Sequence, residues 1–349
     1  MSQKILFTND ITAAINTLAA EMKPSSVHII TDTNVEQAVL PRLNLPYQVI
    51  TTQPGDMAKN LETLSDIWAG LVAQGATRRS LVINIGGGVI TDIGGFAAAT
   101  FKRGIRFINV PTTLLSAVDA AVGGKTGINF MGYKNEIGAF APADAVIIST
   151  VTFSSLPEQE MLSGYAEMLK HGLLSSAADY AELLGYDIMH AEPDTLLPLL
   201  EKSVRVKERI VREDPTEQGI RRALNLGHTA GHAFESLALE RNRPVPHGHA
   251  VAWGLLVEMI LSHTHAALPS EHLYRYAGYL RDNGYGSPDI SCKDYDSLLQ
   301  LMRHDKKNES ADRINFTLLE APGKPLIDRT APEEEIRKAL DIFRDLMGL

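Results

Sequence analysis

The chain has 349 residues, of which 44% are hydrophobic and 21% charged, and it carries a formal net charge of −9. That length implies about two domains, the composition is that of an ordered globular protein, and the acidic balance argues against broad nucleic-acid binding, which wants a basic face. The single cysteine, Cys292, excludes an intramolecular disulfide framework and any cysteine-rich zinc cluster, so a bound metal would have to be held by histidine and carboxylate.

The start, MSQKILFTND, passes straight into a strand-like pattern, without the basic-then-apolar order of a signal segment. The longest apolar run, residues 250–261 with Glu258 inside it, is too short to span a bilayer and suits a buried helix. A soluble cytoplasmic protein with no membrane partner is the expectation. Short β-branched runs at 4–7, 27–31, 47–51, 81–85, 106–110 and 145–149 alternate with helix-like segments, among them 59–74 and 90–100. This rhythm predicts an α/β nucleotide-binding domain, Rossmann-like, with a mostly parallel sheet covered on both faces. From about residue 152 the pattern turns helical, at 158–174, 195–212, 224–240, 248–265, 270–282 and 332–347, and only 313–319 reads as a strand. The domains are therefore expected at 1–151 and 152–349, the second mostly α-helical.

Within the first domain, the predicted strand 81–85 runs into Gly86-Gly87-Gly88 and then Val89 and Asp92 at a helix start. Such glycines let backbone N–H groups approach a phosphate at the positive helix end, although the GxGxxG fingerprint is absent. The stretch 109–140 sets Asp119, Lys125, Lys134 and Asn135 among small and apolar residues, with Thr112 and Thr113 after a strand end. Charges in apolar surroundings need pairing, with each other or with a bound ion. In the second domain, RALNLGHTAGHAFE from Arg222 to Glu235 places His228 and His232 four residues apart. On a helix they share a face, with Arg221 and Asn225 on or near it. Alone, that pair is equally well an ordinary pair of helix histidines.

Laid end to end, the motifs GGGVITD, Arg103-Gly104, PTTLL, DAAVGGKTGIN, YKNEIGAF, GYAEMLKHGL, LNLGHTAGHA, PHGHAVAWG and HDKKN resemble the 3-dehydroquinate synthase family in the family's own order, over nearly the whole chain. The resemblance implies a lyase of the shikimate pathway, in aromatic amino acid biosynthesis. It would convert a seven-carbon keto-sugar acid phosphate (DAHP) to 3-dehydroquinate and phosphate, with NAD⁺ reduced and regenerated within each turnover. It also implies a homodimer and a divalent metal, zinc or cobalt.

By motif, the metal ligands would be Glu167, His228 and His247, a three-ligand set that leaves positions open for substrate. The catalytic group would include Asp119, His232, Lys170 and Asn225. Substrate would be bound by Lys125, Asn135, Lys207, Arg221, Lys306 and Lys307, with Arg103 reaching the neighbouring subunit's site. NAD⁺ would be held by Asp32, Asn34, Asp56, Lys59, Gly87, Gly88, Val89, Asp92, Thr112, Thr113 and Lys134. Two positions depart from the pattern: Asp56 stands where the family more often has glutamate, and His249 stands where many relatives carry glutamate. His249 could be an alternative ligand or a group orienting one. The rival readings are another sugar phosphate cyclase, of the sedoheptulose 7-phosphate type, a metal-dependent polyol dehydrogenase that releases NADH, and a catalytically dead scaffold.

Overall fold

The β-branched runs of the first 150 residues become strands of one sheet, whose central members bury apolar side chains on both faces. In the computed structural model, residues 3–131, 133–303 and 313–349 are described. The chain order begins β1 (Lys4–Phe7), α1 (Ile11–Met22), β2 (Val27–Asp32), α2 (Thr33–Ala38), α3 (Leu40–Leu43), β3 (Gln48–Thr52), α4 (Leu61–Ala73), β4 (Leu81–Gly86), α5 (Gly88–Thr100) and β5 (Arg106–Pro111). A hairpin, β6 (Lys125–Phe130) and β7 (Tyr133–Phe140), precedes β8 (Ala145–Ile148). Six strands form one all-parallel sheet in the order β1-β8-β5-β4-β2-β3, the Rossmann-like architecture expected.

Alternation along the strands decides what each face meets. Leu81, Ile83 and Ile85 of β4 join Ile29, Ile108, Val110 and Ile147 in a core with Ile11, Ile15 and Leu18 of α1. On the opposite face, Asn84 is buried and donates to Asn109 Oδ1 at 2.9 Å. There α5 comes so close that a Cβ at Gly94 would lie 2.1 Å from Asn84 Oδ1.

The chain continues with α6 (Glu158–Ser175), α7 (Ala177–Gly185), α8 (Pro193–Glu213), α9 (His228–Glu240), α10 (His247–Ala266), α11 (Ser270–Asp282) and α12 (Tyr295–Arg303). The hairpin β9 (Asn315–Ala321) and β10 (Lys324–Thr330) and helix α13 (Glu333–Met347) complete it. Backbone packing groups Met1–Pro157 with Ala191–Val204 as one compact unit and Glu158–His190 with Arg205–Leu349 as the other. No helix among the described residues is long and apolar enough to cross a membrane.

Three expectations need correction. The stretch 109–140, for which no helix or strand beyond residue 110 was expected, contains a π-helical turn (Ser116–Ala120) and the β6–β7 hairpin. The strand expected alone at 313–319 has an antiparallel partner, β10, whose polar and basic residues hid its period. Most consequentially, residues 221–235 are not one helix. A 3-10 turn (Ile220–Asn225) ends at Leu226, Gly227 takes φ 81° in the left-handed region, and α9 starts only at His228. Glycine is needed at 227 for that backbone and for space, since a Cβ would lie 2.6 Å from Leu255 Cγ. Arg221 and Asn225 therefore belong to a separate element from His228 and His232.

Candidate active site

In the first unit, the carboxyl ends of β2, β4 and β5 are neighbours, and the winding of the sheet reverses between β2 and β4, where open α/β sheets bind ligands. Gly86 pairs in register with Pro111, and Thr112 N–H donates to Gly86 O at 3.0 Å, so Gly87 and Gly88 lie beside Thr112 and Thr113. Gly87 is the N-cap of α5 and has no side chain to close the first turn, which leaves N–H groups of that turn, Val89 included, for a ligand. Asp32, at the end of β2, already caps α2, its Oδ1 accepting from Asn34 N–H at 2.9 Å and Val35 N–H at 3.0 Å.

A second cluster lies at the Asp56 turn. Lys59 is 5% exposed, and its ammonium donates to both Asp92 Oδ2 and Asn135 Oδ1 at 2.5 Å. A buried ammonium needs such partners to offset lost hydration. Asn135 is held in the left-handed region (φ 55°), its N–H donating to Asn129 Oδ1. Asn129 N–H in turn donates to Lys59 O at 2.8 Å, which ties the β6–β7 hairpin to the turn. Lys134 lies 3.5 Å from Asp56, both half exposed. Asp119 sits partly buried in the π-helical turn, a feature frequent at functional sites. Lys125, at the start of β6, and Arg103, after α5, are exposed.

In the second unit, three helices bring five of the expected residues together. Glu167 and Lys170 lie on α6, His228 and His232 on α9, and His247 opens α10. Small residues make the approach possible. A Cβ at Gly248 would lie 1.9 Å from Ser163 O of α6, and one at Gly254 would lie 2.0 Å from Gly227 O. Glu167 is fully buried, Lys170 ion-pairs with its Oε2, and its Oε1 accepts no hydrogen bond. Facing Oε1 are His228 Nε2 at 3.4 Å and His247 Nε2 at 3.8 Å.

The imidazole tautomers follow from their other nitrogens. His228 Nδ1 meets Leu226 O at 3.1 Å and His247 Nδ1 meets Glu235 Oε2 at 2.9 Å. A carbonyl and a carboxylate only accept, so Nδ1 carries the proton in both rings, and in the neutral imidazole each Nε2 presents a lone pair. Two lone pairs and an unsatisfied carboxylate oxygen converging on one point repel each other, and a cation there relieves the repulsion. The donor set fits a divalent metal, with Glu235 and the Leu226 carbonyl orienting the imidazoles. His228, His232 and His247 also have ring nitrogens within 4.8 Å of one another, so His232 lies at the same centre. His249 does not join them. Its ring packs 5.3 Å from Tyr285 and 6.5 Å from Trp253, and burial pushes its imidazole down to about 4.

Lys170, Lys207 and Arg221 are 1%, 6% and 3% exposed. Cations buried this deeply are not the solvated face of an ordinary charged helix. Arg221 is fixed by donating to Pro215 O at 2.7 Å and through its N–H to Asp214 Oδ2. Desolvation draws the Asp214 carboxyl upward, but N–H groups of Gln218, Gly219 and Arg221 hold it below the usual carboxylate range. Asn225 donates to Glu217 Oε1 at 3.4 Å. Lys306 and Lys307 lie outside the described residues.

Sequence reasoning missed Glu235 and the buried Glu258. Glu235 was visible as the next residue on the His228/His232 helix face, and Glu258 as a lone acid in an apolar helix.

Solved structures share the fold. The chain superposes on 2-epi-5-epi-valiolone synthase of Streptomyces hygroscopicus, solved with NAD⁺ and Zn²⁺ bound, with a TM-score of 0.85 at 24% identity, covering 99% of this chain and 97% of that one. It matches 2-deoxy-scyllo-inosose synthase, solved with carbaglucose-6-phosphate, NAD⁺ and Co²⁺, with a TM-score of 0.84 at 23% identity, covering 98% and 96%. The fold is thus one that this chain shares with these two synthases.

Residues 49–163 match the 3-dehydroquinate synthase N-terminal family model and residues 164–308 the C-terminal one. The 3-dehydroquinate synthase of Parabacteroides distasonis is 47% identical over 99% of both chains. The chain belongs to the 3-dehydroquinate synthase family.

Proposed function

We propose that the protein is a 3-dehydroquinate synthase, converting DAHP to 3-dehydroquinate with release of phosphate in the shikimate pathway. The observation that carries this reading is the convergence of His228 and His247 on the buried, unsatisfied Glu167 Oε1, in a unit that also buries Lys170, Lys207 and Arg221. A metal donor set with surplus buried cations suits a polyol substrate that carries anionic groups. Identity of 47% over the full length to a 3-dehydroquinate synthase supports the same choice over the other cyclases and the dehydrogenases.

In this reading residues 1–151 bind NAD⁺ and residues 152–349 hold metal and substrate. When bound, NAD⁺ supplies the hydride acceptor and donor for C5, and zinc or cobalt supplies Lewis acidity toward the C4 and C5 hydroxyls. Glu167, His228 and His247 hold the metal, and Lys170 fixes Glu167 by pairing its second oxygen. The N-terminal turn of α5, with Gly87, Gly88 and Val89, binds the pyrophosphate. Asp32, Asn34, Asp56, Lys59, Asp92, Thr112, Thr113 and Lys134 bind the rest of the dinucleotide.

Lys207 and Arg221 take the substrate carboxylate, and Lys125 and Asn135, with one or both of Lys306 and Lys307, its phosphate. Asn225 orients the substrate, and Asp119 and His232 hold or pass protons at its hydroxyls. The substrate's own phosphate removes the elimination proton, so no side chain is assigned as its base. Arg103 completes the neighbouring site in a homodimer, and the enzyme works in the cytoplasm.

The test is an assay of purified protein with DAHP, NAD⁺ and zinc. Equal phosphate and 3-dehydroquinate without net NADH is the expected result. Steady NADH accumulation would indicate a dehydrogenase, and turnover of sedoheptulose 7-phosphate but not DAHP would indicate another cyclase.

A further inference from the structure

The turn that presents His228 is held by an acid that the reading above leaves unused. Glu258, on α10, is fully buried in a stretch of that helix, Gly248–Ser262, in which every residue is buried. Its Oε2 accepts from Gly227 N–H at 2.7 Å, and its Oε1 accepts from Thr229 N–H at 3.1 Å and Ala230 N–H at 3.4 Å. These are the donors that α9 cannot satisfy within itself, and they bracket His228 on both sides. The same face of α10 closes the turn sterically, through Leu255 against Gly227 and through Gly254 against the Gly227 carbonyl.

The electrostatics point the same way. His228 occupies the first position of α9, so a metal on its Nε2 sits beside the positive end of that helix, where a cation is disfavoured. A carboxylate lying on those N–H groups offsets the unfavourable dipole and also fixes the backbone from which the imidazole projects. Capping by a short polar side chain from the preceding residue is impossible, because position 227 must be glycine. The cap comes instead from α10, the helix that carries His247. One helix thereby sets two of the three metal-binding side chains.

We propose that Glu258 is a positioning residue for the metal centre. It brackets His228 and neutralises the α9 N-terminus so that Nε2 meets the metal beside Glu167. This rests on the assignment of Glu167, His228 and His247 as metal ligands.

The experiment is titration of metal-free full-length protein with Zn²⁺ and Co²⁺ against a competing chelator, with thermal unfolding and the Co²⁺ visible spectrum recorded in parallel. Wild type should bind one ion per chain; if it binds none, the metal assignment itself fails, whatever the variants do. Glu258→Gln should fold and lose about 10–100-fold in metal affinity, with an altered Co²⁺ spectrum.

Ser262→Ala is the structural control. Ser262 Oγ donates to the Glu258 backbone carbonyl and accepts from Leu319 N–H, and it does not touch the carboxylate. That variant should melt earlier and keep wild-type affinity. If Glu258→Gln does not fold, Glu258→Asp keeps the charge, withdraws it by one methylene, and should lose roughly 3–10-fold. Affinity within twofold of wild type in the folded Glu258 variant would overturn the proposal, as would an equal loss in Ser262→Ala.

Discussion

His228 and His232 lie one turn apart, with ring centroids 5.3 Å from each other, yet their surroundings give them different work. His228 faces Glu167 Oε1, with its tautomer set by Leu226 O. We expect His228→Ala to lose bound metal and all activity, and His232→Ala to keep most of its metal while losing rate. Metal analysis after dialysis checks both, and full retention in the first variant would sink the ligand assignment. The sequence held the two histidines and their spacing, but periodicity extended their helix back to Arg221. Only the left-handed Gly227, whose need for glycine comes from Leu255 of another helix, shows that α9 begins at His228. Nor was the full environment of His249 legible: Trp253 lies one turn on along the same face of α10, but Tyr285 reaches it from a remote part of the chain. Its depressed value, about 4 against an ordinary 6.5, fixes a sign. Between these values the unfolded chain binds the extra proton, so the stability due to neutral His249 is full above about pH 6.5 and is lost as pH falls towards 4. The contribution is on the order of 3 kcal/mol at most. Urea unfolding at pH 7 and pH 5 should show a smaller drop for His249→Phe than for wild type; equal drops would refute this account.

At the level of elements, the parallel strands were readable because burial on both sheet faces writes continuous β-branched runs, as in Leu81–Gly86. The β6–β7 hairpin escaped for the opposite reason. Most of β7 is solvent-exposed, and its Lys134, Asn135 and Glu136 break any apolar alternation. The helices that carry the proposed metal ligands were each legible, but their crossing was not, since the signal for it is single glycines whose partners are remote in sequence. Gly248 is the sharpest case. Its added Cβ would fall 1.9 Å from the Ser163 carbonyl, backbone against backbone, so α6 and α10 would have to separate. Gly248→Ala should therefore cost about 1–3 kcal/mol or more and also weaken metal binding, because Glu167 lies on α6 one turn beyond Ser163 and His247 adjoins Gly248. Denaturant midpoints and chelator competition read the two effects. A stable variant with wild-type metal affinity would mean that the helices are not held by this contact.

For the whole molecule, the proposal of NAD⁺ on one compact unit and metal on the other makes a prediction that neither unit makes alone. A ligand that binds only the folded state adds RT ln(1 + [L]/Kd) to stability, about 2.7 kcal/mol at a hundredfold excess over Kd. For a chain of this length that corresponds to a shift of a few degrees in thermal midpoint. Chelation should lower the midpoint of the wild-type protein, and zinc should restore it, because the three donor atoms meet only in the folded state. NAD⁺ should raise the midpoint by its own increment, since its assigned residues lie on the strand ends and turns of the other unit. The variant that separates these effects is His228→Ala. It leaves the Gly87–Val89 turn, Lys59 and Asp92 untouched, so it should keep the NAD⁺ shift and lose the zinc shift. Calorimetry of both proteins with chelator, zinc and NAD⁺ decides the matter. A zinc shift that survives in His228→Ala would move the metal away from the Glu167 centre, whereas loss of the NAD⁺ shift in that variant would mean that dinucleotide binding depends on the metal centre after all.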